Sequence, residues 1–385
     1  MSSGSRIYAD YNATAPLRPE AKAAMVAALG LTGNPSSIHA EGRKARALVE
    51  GARETVAEAI GACRDDIAFV SGGTEAVQAP LKGALWTIER GQIVASAIEH
   101  DSVSALCNTP QAWTAGHNGV VNLIWLEAAV EALTADGIRP VVSLMLVNNE
   151  TGVIQPVAEA AEIVHKAGGL IHCDAIQALG KIPVSIIDLD VDYLSLSAHK
   201  IGGPQGTGAF YVKPGAPFRA AQTGGGQEFG RRAGTENVAG IAGFAVAVAA
   251  ATRGIGIYQS LGEHRDRMEE KLNAAAPSLQ IHGAGAPRVA GVSCFGVEGL
   301  PSETQIMGLD LAGFAVSVGS ACSSGKVKPS RVLTAMGLDD TAARSAIRAS
   351  FGWASVWQEF DALAEAWIKM AARARPQLMN VDAHV

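Results

Sequence analysis

The sequence predicts an α/β protein with a parallel or mixed sheet and crossover helices, and two observations lead there. Short apolar runs alternate with polar loops and helix-period segments through the first two-thirds of the 385 residues. Those runs also end in polar residues, and in open α/β sheets ligands gather outside the carboxyl ends of the strands.

Taken in order, Ala47, Leu48, Val49, Val56, Ala59 and Ile60 recur at helical spacing, which predicts an amphipathic helix over 43–60. Its short basic run, Arg43, Lys44 and Arg46, reads as a solvated face. IAFV (67–70) is a strand ending in SGGTE, and QIVAS (92–96) is one leading to AIEH. VVSLMLV (141–147) ends in NNETG, LIHCDA (170–175) leads to IQALG, and DYLSLS (192–197) ends in AHK. Thr74, His100, Asn149, Asp174 and the pair His199 and Lys200 thus stand at successive strand ends, which describes one assembled pocket. Near residue 255 the pattern changes. IYQSLGEHRDRMEEKLNAA is an exposed helix, VAGVSCFGV a strand, and the tail from Thr341 is helical around AIRASFG. A domain boundary therefore falls at 250–260, with the N-terminal arm joining the second domain.

Composition narrows the function. Apolar residues make up 48% and charged residues 18%, which fits a globular protein with a sizeable core. A net charge of -6 argues against a nucleic-acid partner, which needs clustered basic charge. MSSGSRIYADYN has no apolar signal segment, and the apolar run 238–251 is too short to span a bilayer, so no membrane is expected. Five widely spaced cysteines without a CxxC pair predict no disulfide framework and a cytoplasmic location. Cys63, Cys107, Cys173 and Cys294 read as small core residues. His172 and Asp174 lack a third ligand, so no metal is expected.

Lys200 is the centre of the chemical argument. To condense with an aldehyde its amine must lose a proton, although a free lysine has a pKa of about 10.4. A partly buried strand end beside His199 supplies desolvation and a neighbouring cation, both of which lower that value. An aldehyde cofactor of the pyridoxal phosphate kind needs a carboxylate against its ring nitrogen, and Asp174 has that chemistry. Its phosphate needs backbone N–H groups and hydroxyls at a helix N-terminus. Ser71-Gly72-Gly73-Thr74-Glu75, Ser197 and His199 offer these. Taken singly, Lys200 is a surface charge, Asp174 a helix cap and SGGTE an ordinary turn. Their ordered co-occurrence decides between the readings.

SVGSACSSGKVKPS (317–330) fails as a P-loop, because five residues rather than four separate Gly319 from Gly325 and Val327 follows Lys326. What remains is a small-residue loop around Cys322. Its thiol is either a nucleophile, activated below the ordinary value of about 8.5, or a buried structural cysteine.

Together these residues resemble the cysteine desulfurases of the NifS/IscS type, which are fold-type I pyridoxal phosphate enzymes of the class V aminotransferase-like group. The likeness runs from YADYNATAPL through GNPSSIH, SGGTE, AIEH, VNNETGVIQP, HCDAIQALGK, SLSAHKIGGPQGTG, GGGQEFGRRAGTEN and GSACSS to AIRASFG. It implies a large domain over 15–255 with a mostly parallel seven-stranded sheet and helices on both faces. It also implies a smaller α+β domain made of 1–14 and 256–385, carrying the cysteine loop 317–330.

The resemblance also implies roles. Lys200 bonds the pyridoxal phosphate aldehyde, Asp174 meets the ring nitrogen and Gln177 the ring oxygen, and His100 stacks on the ring and assists proton transfer. Gly73, Thr74, Ser197 and His199 hold the phosphate, and Thr235 reaches that of the neighbouring subunit in a homodimer. Asn34, Asn149 and Arg348 hold the substrate carboxylate, a task that suits an arginine fork. Cys322 takes sulfur from L-cysteine as a persulfide, leaving alanine, and passes it to an acceptor protein such as an iron–sulfur scaffold. Selenocysteine lyase and another aminotransferase-like enzyme are the alternatives, and the second has no need of Cys322. Two departures stand out: Ala76-Val77-Gln78 replaces a Ser-Asn-Asn run, and Ser317-Val318 replaces two serines.

Overall fold

The computed structural model describes residues 6–107, 112–319 and 329–380. In chain order its strands are β1 (Ile7–Tyr8), β2 (Ile67–Val70), β3 (Gly91–Ala95), β4 (Arg139–Met145), β5 (Leu170–Asp174) and β6 (Tyr193–Ser197). They continue with β7 (Gly208–Val212), β8 (Gln280–Ile281), β9 (Val292–Gly296), β10 (Phe314–Ala315) and β11 (Ala346–Ser350).

The central sheet has the order β2-β7-β6-β5-β4-β3. β3, β4, β5 and β6 run parallel, while β7 is antiparallel to both β6 and β2. The parallel strands β5 and β6 are buried at every residue, which is why they read as continuous apolar runs rather than alternations. Alternation survives in how the two faces are covered. Ala68, Val70, Val141, Leu170, Tyr193 and Phe210 pack with helix Gly73–Leu85. Ile67, Phe69, Val142, Ile171, Leu194 and Tyr211 belong to the larger core on the other face, with helices Ala40–Ile60 and Val238–Arg253.

Six strands are found among the described residues where the resemblance implies seven. The seventh position, beside β3, is occupied by Trp113, which makes a single parallel bridge to Ser96. The chain turns back soon after, Ala115 pairing with Val121, so among the described residues this position holds isolated bridges rather than a strand.

Helix Ala40–Ile60 starts before the expected residue 43, because the His39 ring accepts the Gly42 N–H at 3.3 Å and caps it. It ends at Gly61, whose φ of 72° a side chain would oppose. Arg43, Lys44 and Arg46 are exposed, as expected. The inner face instead carries a buried cation, Arg53, paired with Glu228 through both terminal guanidinium nitrogens. Glu228 also accepts the Phe69 N–H at 2.8 Å, so the pair ties β2 to the backbone around Glu228 and Phe229, where φ is 50° and 55°.

Beyond the main sheet, β1 pairs in parallel with β10, and β11, β9 and β8 form an antiparallel sheet. Helices Val238–Arg253 and Ile255–Ala275 meet at Gly254 with a bend of 61°. Among the described residues no single helix is long and apolar enough to cross a membrane. Cys173 and Cys294 are buried as expected, but Cys63 is exposed and Cys107 half-buried. Cys63 lies in the turn that follows Gly61, outside the apolar face of the preceding helix.

Candidate active site

The carboxyl ends of β4, β5 and β6 open into a cavity of about 360 Å³. Gly73, Thr74, His100, Asn149, Asp174, Gln177, Ser197, His199, Lys200 and Arg348 all line it, and β11 supplies the arginine from the other sheet. Asn34 and Thr235 do not line it. Both are exposed, and the Asn34 side chain accepts the Ser36 N–H at 2.9 Å in the turn before helix Ala40–Ile60. Cys322 lies outside the described residues.

Lys200 follows β6 in a short 3-10 turn, and its Nζ donates to Asn12 O at 2.7 Å and Ala13 O at 2.9 Å. Asn12 is a hub. Its carbonyl also accepts from Gln177 Nε2 at 3.0 Å, its Oδ1 accepts from Lys181 Nζ at 2.6 Å, and its Nδ2 donates to Asn149 O at 3.0 Å. The cation expected beside Lys200 is not His199. Burial first, and Lys200 second, lower the His199 pKa to about 4, so its imidazole is neutral at pH 7. Its Nδ1 lies 3.2 Å from Thr14 Oγ1.

Asp174 ends β5, and its Oδ1 accepts the Ile176 N–H at 2.9 Å. Burial raises its pKa, against the lowering by that hydrogen bond and by the charges of His100 and Lys200. A second carboxyl, Glu99, lies close by. Its Oε1 accepts from Met145 N at 2.7 Å and Ser96 Oγ at 3.0 Å, while its buried Oε2 has no partner. Burial first and the Asp174 charge second raise its pKa to about 8. Two neighbouring carboxyls are thus pushed apart in role, Glu99 keeping a proton so that Asp174 can carry the charge.

This arrangement sets a pH dependence. A carboxyl whose folded pKa lies above its ordinary 4.5 stabilises the fold below that value, and the contribution is lost as pH rises toward about 8. Cofactor-free protein should therefore lose stability in chemical denaturation between these limits, and Glu99→Gln should flatten the decline. An unchanged slope would mean that Glu99 is ionised throughout.

His172, under the floor of the site, is a strut. Its Nδ1 lies 2.9 Å from Ser143 Oγ and its Nε2 2.7 Å from Ser195 Oγ. The Ser195 hydroxyl donates to Ala76 O at 2.7 Å, so it accepts from Nε2–H, and Nδ1 accepts from Ser143. Ala76 O has no helical N–H partner because Pro80 stands four residues on. Burial holds the His172 pKa down at about 3.

His100 Nδ1 accepts the Ser102 N–H at 3.1 Å, which leaves the ring proton of a neutral imidazole on Nε2. Arg348 Nη2 donates to Asp10 at 2.6 Å and Nη1 to Asn149 O at 3.0 Å, and its buried Nε is unpartnered. The Ser197 hydroxyl is likewise buried without a partner. Gly73 opens helix Gly73–Leu85 beside it, and a Cβ there would sit 2.9 Å from Ile176 Cδ1. A phosphate group fits this place: a helix N-terminus, an unsatisfied hydroxyl and a glycine that leaves room. An acidic residue buried at the far side, whose burial outweighs the charges near it, fits a cationic ring nitrogen.

Sequence reasoning missed Asn12, Glu99 and Lys181. All three lie inside quoted motifs, YADYN, AIEH and QALGK, but no chemical rule singled them out.

Comparison with known proteins agrees with this geometry. The family model described as aminotransferase class-V matches residues 7–363. A cysteine desulfurase from Cereibacter sphaeroides is 41% identical over 371 residues, covering 94% of each chain. The crystal structure of a NifS-like protein from Rickettsia africae superposes with a TM-score of 0.85 at 32% identity, over 95% of this chain and 99% of that one. A structure described as SspA in complex with cysteine matches 90% of this chain and 98% of its own, with a TM-score of 0.76 and 28% identity. The chain belongs to the aminotransferase class-V family and, within it, to the NifS-like cysteine desulfurases, enzymes of the sulfurtransferase class.

Proposed function

We propose that the protein uses pyridoxal phosphate to take sulfur from L-cysteine, giving L-alanine and a persulfide on Cys322 that passes to an acceptor protein. The observation carrying this reading is a single cavity that joins the Lys200 amine, the buried Asp174 carboxyl, the unsatisfied Ser197 hydroxyl and the Arg348 fork. Pyridoxal phosphate, when bound, supplies an aldehyde for amines and a ring that withdraws electrons from the substrate Cα.

The chain's own groups do the rest. Asp174 holds the ring nitrogen, and Gln177 Nε2 faces the ring oxygen. Gly73, Thr74, Ser197 and His199 would hold the phosphate, and His100 would contact the ring. Arg348 Nε and the Asn149 side chain receive the substrate carboxylate, whereas Asn34 stands exposed outside this cavity. Lys200 Nζ takes the proton from the substrate Cα. Cys322 as thiolate attacks the substrate sulfur, so an S–S bond forms as the substrate C–S bond breaks, and the carbon fragment gains protons to become alanine. The relative solved with cysteine supports the substrate class.

We read 15–255 as the cofactor domain and 1–14 with 256–385 as the smaller one, in keeping with the bend at Gly254 and the pairing of β1 with β10. Exposed Leu17, Val26, Leu29, Leu31, Ile38 and Phe229 support a homodimer in which Thr235 serves the neighbouring subunit's phosphate. The expected acceptor is an iron–sulfur scaffold or another sulfur-transfer partner in the cytoplasm.

The test is sulfide and alanine production from cysteine with a reductant, for the intact protein and for Cys322→Ala. The substitution should abolish sulfide release above background. Full release by Cys322→Ala would remove the persulfide from the reaction.

A further inference from the structure

Lys181 is buried, yet its nitrogen is held by amide oxygens rather than a carboxylate. Nζ donates to Asn12 Oδ1 at 2.6 Å and to Gln177 Oε1 at 2.6 Å, and no acidic group lies within ion-pair distance among the described residues. We propose that Lys181 is a positioning residue that locks the Gln177 amide with its NH2 group toward the cofactor cavity, making that wall a hydrogen-bond donor only.

Both amide orientations are fixed by groups that can only accept. Asn12 Nδ2 donates to the Asn149 carbonyl at 3.0 Å, so Asn12 Oδ1 must be the atom facing Lys181. Gln177 Nε2 donates to the Asn12 carbonyl at 3.0 Å, so its Oε1 turns to Lys181 as well. One N–H of Nε2 is used there, and the other belongs to a side chain that lines the cavity. A ligand oxygen placed against Gln177 must accept, and it is therefore held as an oxyanion. Remove Lys181 and Oε1 loses its donor, which leaves the Asn12 carbonyl to hold the amide without it, so the NH2 group is kept less firmly toward the cavity.

Charge at Lys181 is the weaker influence, because its surroundings disfavour the protonated amine. Lys200 and Arg348 surround the same asparagine, and burial, Lys200 and Arg348 together push the Lys181 pKa well below its ordinary value. Asp10 is paired with Arg348. On its other side Lys181 borders a second cavity of about 310 Å³, together with Tyr11, Arg18, Glu20, Arg253 and Tyr258. An anchored donor and a nearby cation each favour the deprotonated ligand oxygen, and a double-mutant cycle separates them.

The inference rests on the pyridoxal phosphate reading. Full-length protein loaded with pyridoxal phosphate is titrated from pH 6 to 10 by visible absorbance, as the unsubstituted chain, Lys181→Met, Gln177→Leu and the double variant. Lys181→Met should raise the midpoint by about one pH unit. In the Gln177→Leu background the same substitution should move it by less than about 0.3. No shift in Lys181→Met overturns the proposal, and so does a shift of full size in the Gln177→Leu background, which would assign the effect to charge alone. If Lys181→Met shows no cooperative melting transition, Lys181→Gln is measured instead. It keeps a donor without the charge and should hold the parent midpoint, and a rise of about one pH unit would overturn the anchoring role. An unsubstituted protein with no titrating visible band would instead sink the cofactor reading itself.

Discussion

Lys200→Ala should reduce sulfide release from cysteine by at least about 10²–10⁴-fold, the range expected when a positioned proton-transfer group is lost. The same variant should lose the visible absorbance that depends on its amine. In the proposed reaction two roles meet in one atom, because the Nζ that would attach the cofactor is also the group that would receive the substrate proton. The structure shows how it is poised. Nζ is steadied by two backbone carbonyls, Asn12 O and Ala13 O, which aim the amine. Lys200 and Lys181 meet Asn12 at its carbonyl and its Oδ1, and the Lys200 charge joins burial in pushing the Lys181 pKa well below its ordinary value, while His199 is neutral. Added methylamine should restore part of the turnover if the missing amine is the only defect. Activity within tenfold of the parent, or an unchanged spectrum, would take Lys200 out of the reaction.

The pocket was legible because its parts stand at strand ends, and strands buried on both faces announce themselves as apolar runs. Asp174 and Lys200 were found in this way, and the bordering glycines of SGGTE marked the helix start that a phosphate needs. Other features were hidden for physical reasons. Asn12 acts largely through its main-chain carbonyl, which has no side-chain signature. Glu99, beside a histidine, reads as an ordinary surface acid until the fold buries it next to Asp174. Lys181 reads as a charge near the end of a polar loop, and only the packing encloses it. His199 was expected to be a cation because sequence shows adjacency but not desolvation. The short seventh strand position at Trp113 leaves no apolar run long enough to find.

Asp174→Asn is the second large effect, expected to lower turnover by about 10²–10³-fold with the fold intact. Asparagine preserves the shape and can still accept the Ile176 N–H through its oxygen, so the change isolates the charge. Removing one partner of a buried charge pair costs about 3–5 kcal/mol, and each ~1.4 kcal/mol is a tenfold change in rate. Since the ring charge matters most as electrons leave the substrate Cα, the loss should fall on kcat more than on KM. The neighbouring acid provides an internal check. With the Asp174 charge gone, one of the two causes that raise the Glu99 pKa is removed, and burial alone remains. Loss of stability in cofactor-free Asp174→Asn should therefore still begin near 4.5 but end at a lower pH than in the parent, and be smaller in total. Turnover within tenfold of the parent would show that the ring nitrogen is held by some other group, and a kcat loss without the pH displacement would separate the two carboxyls. The expected pairing of both results follows from one cause, two acids in a dry site where the charge on one helps to hold the proton on the other.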